Sequence, residues 1–206
     1  MGVRARVGLE MPRSVYHLPM EILLSILVGL GLSAACGFRI FIPPLIVCLA
    51  ARTGHVELGQ SFSWMTSNTA LIALSVATLL EIAGYYIPWV DNLLDAIASP
   101  TAVIAGILVS AATFTDVSPF LKWTLAILAG GGTAAAFHGI TATARQISSL
   151  STGGLGNPLL ATFEAAGSAL LSVLAVTLPV LAILLVAGLL YFGVKRLLFR
   201  RPARVG

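Results

Sequence analysis

Residues 32–44 read L-S-A-A-C-G-F-R-I-F-I-P-P and place one arginine, Arg39, inside an apolar run from Ile22 to Ala51 that holds no other charge. A lone arginine in lipid is costly unless it finds a partner or water. Gly37 precedes the arginine and Pro43-Pro44 follow it, and prolines interrupt helical hydrogen bonding because they have no N–H. Irregular backbone at membrane depth survives only inside protein or along a cavity. The stretch therefore predicts a broken helix that carries a functional cation.

The composition surrounding this stretch is that of an integral membrane protein. The chain has 206 residues, of which 58% are hydrophobic and 10% are charged, and its mean hydropathy is +0.98. Soluble domains carry about 25% charged residues. We therefore predict an all-α, polytopic membrane protein with one membrane domain, residues 20–199, between basic tails 1–19 and 200–206.

The basic residues lie mainly near the two chain ends. Eight of the 12 Lys and Arg residues precede residue 20 or follow residue 194, whereas the segment between them holds four basic and seven acidic residues. Basic flanks of membrane helices mark the cytoplasmic side. The sequence thus predicts a bacterial cytoplasmic-membrane protein with both termini in the cytoplasm and an even number of crossings, and it shows no nucleic-acid module.

Hydropathy divides the membrane domain into four to six transmembrane segments. The first, Glu21–Arg52, has about 30 residues where roughly 20 cross a bilayer, so it is either one long kinked helix or a re-entrant hairpin that meets near Arg39. The following predicted elements are a helix over Thr69–Ile87 that ends in an aromatic belt at Tyr85-Tyr86, a short amphipathic helix over Val90–Ala98, apolar helices over Pro100–Phe114 and Lys122–Ala144, and a Ser/Thr/Gly loop over Ser148–Asn157. The last apolar stretch, Leu159–Phe199, is too long for one straight span, and we expect it to kink, dip or turn back near Pro179.

A faint internal echo connects the first and fourth apolar segments. The sequence A35-C-G-F-R39 aligns with A134-A-A-F-H138, and Thr53-Gly54 aligns with Thr152-Gly153 at the same offset. Transporters often carry repeats whose helices are broken at corresponding places. The echo therefore predicts a weak internal repeat.

Polar residues within the apolar segments are the candidate site. The predicted substrate-binding residues are Arg39, Glu81, His138, Arg145, Asn157 and Glu164, and Asp91 with Asp95 form a possible cation or proton site. Arg39 either binds an anionic group or pairs with Glu81 or Glu164 to fix the helices. Asp91 and Asp95, four residues apart, otherwise form a solvated helix face, and His138 is either a hydrogen-bonded core residue or a titrating site.

The loop S-T-G-G-L-G-N-P at 151–158 has two interpretations. Its glycines and hydroxyls could hold an anion at the N-terminus of the helix that Asn157-Pro158 begins, or it could be a plain turn. Catalysis has little support, because the chain has no HExxH and no GxSxG motif. No cofactor is predicted, and no ligand spacing identifies a metal.

Taken together, G37-F-R39, E81, I87-P88-x-V90-D91-x-x-L94-D95, H138 with R145, and the 151–158 loop with E164 resemble one family. It is the bacterial membrane-protein family known as domain of unknown function 4126, and the resemblance covers about residues 21–190. The family has no assigned activity, so the resemblance implies that the matching polar residues matter without naming a reaction. Many members carry a lysine shortly after the histidine, where this chain has Thr141.

These observations predict a small transporter or channel for a small or lipid-linked solute, and we expect that solute to be anionic because the midplane site centres on Arg39. The alternative is an accessory membrane protein, with no catalytic role, that packs against a larger complex. The expected partners are membrane lipids, the solute, and a second copy or a membrane complex.

Overall fold

The computed structural model describes residues 14–198, and within that range every regular element is helical. The α-helices are α1 Ser14–Phe38, α2 Ile42–Arg52, α3 Asn68–Gly84, α4 Pro88–Thr113, α5 Pro119–Leu125, α6 Gly132–Thr152, α7 Asn157–Thr177 and α8 Pro179–Leu198. Four helical stretches are long and apolar enough to cross a bilayer, or five when α3 is joined to the bent 3₁₀-helix Gln60–Thr66 before it. The predicted all-α, polytopic membrane fold is confirmed. The predicted basic tails lie outside the described residues, except that α1 already begins at Ser14.

The first apolar segment breaks at the predicted place. Helix α1 ends at Phe38 and α2 begins at Ile42, so Arg39 lies in the break. Pro43 and Pro44 occupy the first turn of α2, where the missing N–H of a proline costs nothing because that group has no partner inside the helix. The backbone break is thus a direct consequence of the proline pair.

After the break the chain returns toward the end at which α1 starts. Glu21 of α1 and His55, three residues beyond α2, line the same cavity together with Thr113 at the end of α4. We call this the Glu21 end of the molecule. The opposite end, where α6 ends and α7 begins, is the Asn157 end. Helices α3 and α4, the continuous stretch from α5 to α6, and helices α7 and α8 then alternate in direction between the two ends.

Helix α1 is the central element and packs against α4, α6, α7 and α8. Its contacts are close because small residues face its neighbours. A Cβ added at Gly37 would lie 2.5 Å from Phe137 Cβ and 2.7 Å from the Ala134 carbonyl oxygen of α6. Ser33 of α1 donates a hydrogen bond to the Gly106 carbonyl of α4 (2.7 Å). The centre of α1 is therefore fixed against two helices before its chain breaks.

The predicted division of residues 90–114 into two elements is wrong. Val90–Ala98 and Pro100–Phe114 are not separate elements, because α4 continues through Pro100. Membrane helices tolerate an internal proline. Pro100 removes the hydrogen bond to the Ala96 carbonyl, and the helix continues with the next carbonyl, that of Ile97, which accepts a hydrogen bond from the Thr101 hydroxyl (2.7 Å).

The predicted Ser148–Asn157 loop is mostly helical. Helix α6 continues to Thr152, and the hydroxyls of Ser151 and Thr152 bond to carbonyls of the preceding turn. The helix ends because Gly153 adopts a left-handed conformation (φ 64°), which glycine accepts without strain. The fourth apolar segment is also longer than Lys122–Ala144: α5, a π-turn at Ala126–Gly131 and α6 form one helical stretch.

The last apolar stretch is interrupted at Pro179, as predicted. Helix α7 ends at Thr177, and α8 begins at Pro179 and runs back beside it. A Cβ on Gly31 of α1 would touch Ala182 near the start of α8, and a Cβ on Gly193 near its end would touch Ile140 of α6. Helix α8 therefore runs toward the Asn157 end.

The two segments of the internal echo meet but do not repeat the same backbone. The rings of Phe38 and Phe137 pack edge to face with centroids 5.3 Å apart. Helix α1 ends at Phe38, whereas α6 continues past His138 to Thr152. The break next to Arg39 thus has no counterpart in α6.

Candidate functional site

Arg39 is the most deeply buried charge, with a relative exposure of 1%. Its Nη2 donates to the Ala161 carbonyl of α7 (2.9 Å) and lies 3.2 Å from Glu164 Oε2. The predicted ion pair with Glu164 is therefore present. Nε and Nη1 of Arg39 have no partner among the described residues, so the guanidinium group keeps donors available.

Glu81 of α3 plays a different part from the predicted pairing with Arg39. Its two carboxylate oxygens accept hydrogen bonds from the backbone N–H groups of Ile40 (2.7 Å) and Phe41 (3.0 Å). A carboxylate at the N-terminus of a helix also interacts favourably with the helix dipole. Glu81 thus satisfies the broken backbone and holds the start of α2 against α3.

Arg145 of α6 is the centre of the charged network. Its Nε donates to Glu164 Oε1 (3.1 Å), while its Nη2 bonds to the other oxygen of the same carboxylate. Its Nη1 donates to Asp91 Oδ1 (2.6 Å) and lies 3.5 Å from Asp95 Oδ1. A planar guanidinium is suited to such multidentate contacts. Arg145 therefore joins α4, α6 and α7 through three carboxylates.

Tyr85, which follows α3, contacts both arginines. The guanidinium carbons of Arg39 and Arg145 are 3.8 and 4.2 Å from the centroid of its ring. Both guanidinium groups therefore form cation–π contacts with the same ring. Tyr85 and Glu164 are thus the two residues that both arginines share.

Asn157 extends the network toward a cavity at the Asn157 end. Its Nδ2 donates to Asp91 Oδ2 and to Ser149 Oγ, both at 3.2 Å. A cavity of about 390 Å³ lies beside them, and Tyr85, Tyr86 and residues 153–155 of the turn complete its lining. The 151–158 loop therefore does line a cavity, but the charged group there is the carboxylate of Asp91, which disfavours an anion.

A second cavity of about 530 Å³ opens on the other side of Arg145, between α4 and α6. It is lined by Asp95, Ser99, His138, Arg145 and Ser149, among others. Asp95 is half-buried, with its side chain 37% exposed, and His138 is also half-buried. Asp91 and Ser149 line the first cavity, and Arg145 and Ser149 line the second. The Arg145–Asp91 pair therefore lies between the two cavities.

The network and its two cavities bring together seven of the eight predicted site residues, and Glu81 lies beside them at the break. Asp91 is only 4% exposed, so its interpretation as part of a solvated face is wrong. Sequence reasoning missed Tyr85 and Ser149. The sequence had placed Tyr85 in an interfacial belt, yet it is 6% exposed, and its position directly after the Glu81 helix was the only signal.

The formal charge of the network is negative. Two guanidinium groups, of Arg39 and Arg145, face three carboxylates, of Asp91, Asp95 and Glu164, which gives −1 when all are ionised. Among the described residues, no three His, Cys, Asp or Glu side chains are arranged to hold a metal ion. The surplus of carboxylates therefore favours a proton or a monovalent cation over an anion.

The comparison with known proteins identifies the family. The model of the family described as Domain of unknown function (DUF4126) matches residues 26–198. The chain belongs to this family. No curated protein and no solved structure matches it.

Proposed function

We propose that this DUF4126 protein is a small transporter that moves a proton or a monovalent cation past the charged network at the Asn157 end. The observation that carries the proposal is a charged network with one surplus carboxylate, placed between two cavities that share Ser149. Intramembrane ionisable residues commonly mark ion or proton pathways. A network that only fixed helices would need no surplus charge.

The charge balance of the network changes the charge that we expect the solute to carry, from negative to positive. The sequence favoured an anion at Arg39, but Glu164, the Ala161 carbonyl and the Tyr85 ring already surround that guanidinium group. An anion entering either cavity would meet Asp91 or Asp95. A cation or proton would instead compensate the network, and Asp95 is the group that meets it first because Asp95 is the most exposed carboxylate there.

The same contacts suggest how a proton or cation bound at Asp95 alters the charged network. Asp91 and Asp95 both approach Nη1 of Arg145, so a proton or cation on Asp95 weakens its attraction to that guanidinium. Arg145 can then favour Asp91 and Glu164 more strongly. Because Glu164 is shared with Arg39, such a shift reaches the α1–α2 break, which we interpret as the tip of a re-entrant hairpin.

The accessory-protein alternative also has a specific observation in its favour. Glu81, Arg39, Arg145 and Glu164 close into direct contacts, and neither Arg39 nor Glu81 lines either of the two cavities. Ion pairs that only hold helices together are expected to form such closed contacts away from any cavity. The two hypotheses therefore differ on Asp95: transport requires its carboxylate, whereas stapling does not.

Proteoliposomes that contain dyes sensitive to pH, to Na⁺ or to K⁺ test the proposal. We expect protein-dependent proton, Na⁺ or K⁺ flux that Asp95→Asn lowers at least tenfold without lowering the thermal stability by more than a few degrees. Glu57→Gln, which removes an exposed carboxylate at the Glu21 end, is the matched control and should keep the flux. Absence of flux of all three ions in the wild type, or full flux in Asp95→Asn, would refute the proposal and favour the accessory role.

A further inference from the structure

We propose that a cavity between α2, the 3₁₀-helix, α3 and α4 binds one acyl chain of an anionic phospholipid. The cavity has a volume of about 210 Å³ and no polar surface. Its walls come from four elements, with Phe41, Met65, Leu74, Ala105 and Leu108 among the lining residues. This site is separate from the charged network and does not depend on the proposed transport function.

The geometry of the elements leaves this space open to the surrounding bilayer. Helices α3 and α4 make few contacts with each other, and the 3₁₀-helix is bent by 69° relative to α3. Trp64 and Leu108, which line the cavity, are 59% and 45% exposed. An apolar cavity excludes water and takes up apolar ligands, so a hydrocarbon chain from the adjacent lipid is its natural occupant.

The size and depth of the cavity fit part of one chain. At roughly 30 Å³ for a water-sized group, its volume holds about seven methylene-sized groups. The lining extends from Trp64 to Ile40 and Phe41, the two residues whose N–H groups Glu81 binds. The occupying chain would therefore pack directly against the broken backbone next to Arg39.

Two basic residues at the ends of the 3₁₀-helix supply charge complementarity for an anionic headgroup. Arg52 is exposed and donates to the Thr66 carbonyl (2.6 Å), next to Met65 of the cavity wall. Lys122 Nζ would lie 2.8 Å from a Cβ on Gly59, directly before the other end of that helix. Neither residue forms an ion pair within residues 14–198. Basic residues near a membrane surface attract anionic lipids by about 1 kcal/mol each.

Lipid binding to delipidated protein in detergent tests this proposal. The probes are dioleoylphosphatidylglycerol and dioleoylphosphatidylcholine, which share their chains and differ in headgroup charge, and the readouts are bound lipid by native mass spectrometry and the thermal shift. We expect tighter binding of phosphatidylglycerol. The double variant Arg52→Gln/Lys122→Gln should lose about 30-fold in affinity for it, the equivalent of about 2 kcal/mol for two cations, whereas Lys195→Gln, an exposed charge on α8, should not.

Variants that fill the cavity test the acyl-chain part separately. Ala105→Leu and Leu74→Phe should each reduce the binding of both lipids, and Ala73→Leu, an exposed neighbour on α3, should leave it unchanged. Two filling variants are used so that a folding defect in one leaves the test intact. Equal wild-type binding of the two lipids would overturn the anionic headgroup, and undiminished binding in the filling variants would overturn the cavity as the site.

Discussion

At the residue scale, Arg39 and Arg145 differ in how many of their guanidinium nitrogens have a polar partner. Every guanidinium nitrogen of Arg145 approaches a carboxylate, from Asp91, Asp95 or Glu164. Of the Arg39 guanidinium nitrogens, only Nη2 has a polar partner among residues 14–198. Because burial of an unpaired charge is expensive, both arginines depend on Glu164, and Glu164 is the residue through which the two are coupled.

Replacement of Arg39 should show whether this residue positions helices or binds solute. Arg39→Gln leaves Glu164 with one cation fewer, and we expect a loss of about 3–5 kcal/mol in the free energy of unfolding. Arg39→Gln/Glu164→Gln should regain part of that loss, since Arg145 keeps Asp91 and Asp95. Thermal unfolding in detergent measures the stability of both variants.

The flux of the double variant then distinguishes the two roles. The contacts of Arg39 favour positioning, so we expect flux to recover together with stability. Lys195→Gln, which changes an exposed cation on α8, controls for the loss of charge. Recovery of stability without recovery of flux would contradict the positioning role, because it would show that the Arg39–Glu164 pair itself is needed for flux.

Glu81 is expected to be intolerant of even its amide analogue. Glu81→Gln keeps one acceptor oxygen but turns an NH₂ group toward a backbone N–H, so either Ile40 or Phe41 loses its partner. A buried donor left unsatisfied costs about 1–3 kcal/mol. Glu57→Gln, at an exposed position, should change stability by less than about 0.5 kcal/mol. Equal melting temperatures for the two variants would show that Glu81 does not hold the break.

At the element scale, the sequence predicted the features that depend on local chemistry. Breaks at Arg39 and at Pro179 follow from prolines, whose missing N–H acts within one turn. The continuous helix through Pro100 and the helical extension to Thr152 could not be predicted, because nearby hydroxyls and packing against other helices override the local preference.

The site shows the same division between local and distant information. A charge in an apolar segment needs a partner, so Arg39, Arg145 and Glu164 could be selected from the sequence alone. The partner itself depends on which helix ends meet, and therefore the backbone contacts of Glu81 and the burial of Tyr85 required the fold.

The contact between α1 and α6 provides a direct test of helix packing. Gly37→Ala should destabilise the protein by about 1–3 kcal/mol, because the new methyl group would overlap Phe137 and the Ala134 carbonyl. Gly139→Ala on α6, where no atom lies within 4 Å of the added Cβ, should be neutral or stabilising by up to about 1 kcal/mol. Urea or thermal unfolding of the two variants measures the difference, and equal stabilities would mean that α1 and α6 do not approach as closely as described.

At the scale of the whole molecule, the helix order has a consequence for the two chain ends. Helix α1 starts at the Glu21 end, α2 returns to it, and the alternating helices from α3 onward bring α8 to the Asn157 end. If the tails continue from these helix ends, they lie on opposite sides of the membrane. The sequence instead predicted two cytoplasmic tails, since both are basic, and that expectation remains a prediction.

Charge alone does not choose between the two orientations of this helix order. Among residues 14–198, Arg52 and Lys122 lie at the Glu21 end, whereas Lys195 and Arg196 lie near the end of α8 at the Asn157 end. Lys and Arg near membrane helices set orientation by their difference between the two sides. Two flanking residues at each end give no difference, so labelling has to decide the orientation.

Labelling of single cysteines in the two tails makes that measurement. Cys36 and Cys48 are the only native cysteines, and both are buried, so a membrane-impermeant maleimide should react mainly with an introduced thiol. We expect Val3→Cys and Val205→Cys to differ: in sealed vesicles of one orientation only one should react, and the other should require detergent. Glu57→Cys, at an exposed position of the Glu21 end, reports the side of that end and should follow Val3→Cys. If Val3→Cys and Val205→Cys are protected together, the tails share a side, and either α1–α2 crosses the membrane instead of returning to the Glu21 end or α8 does not cross it.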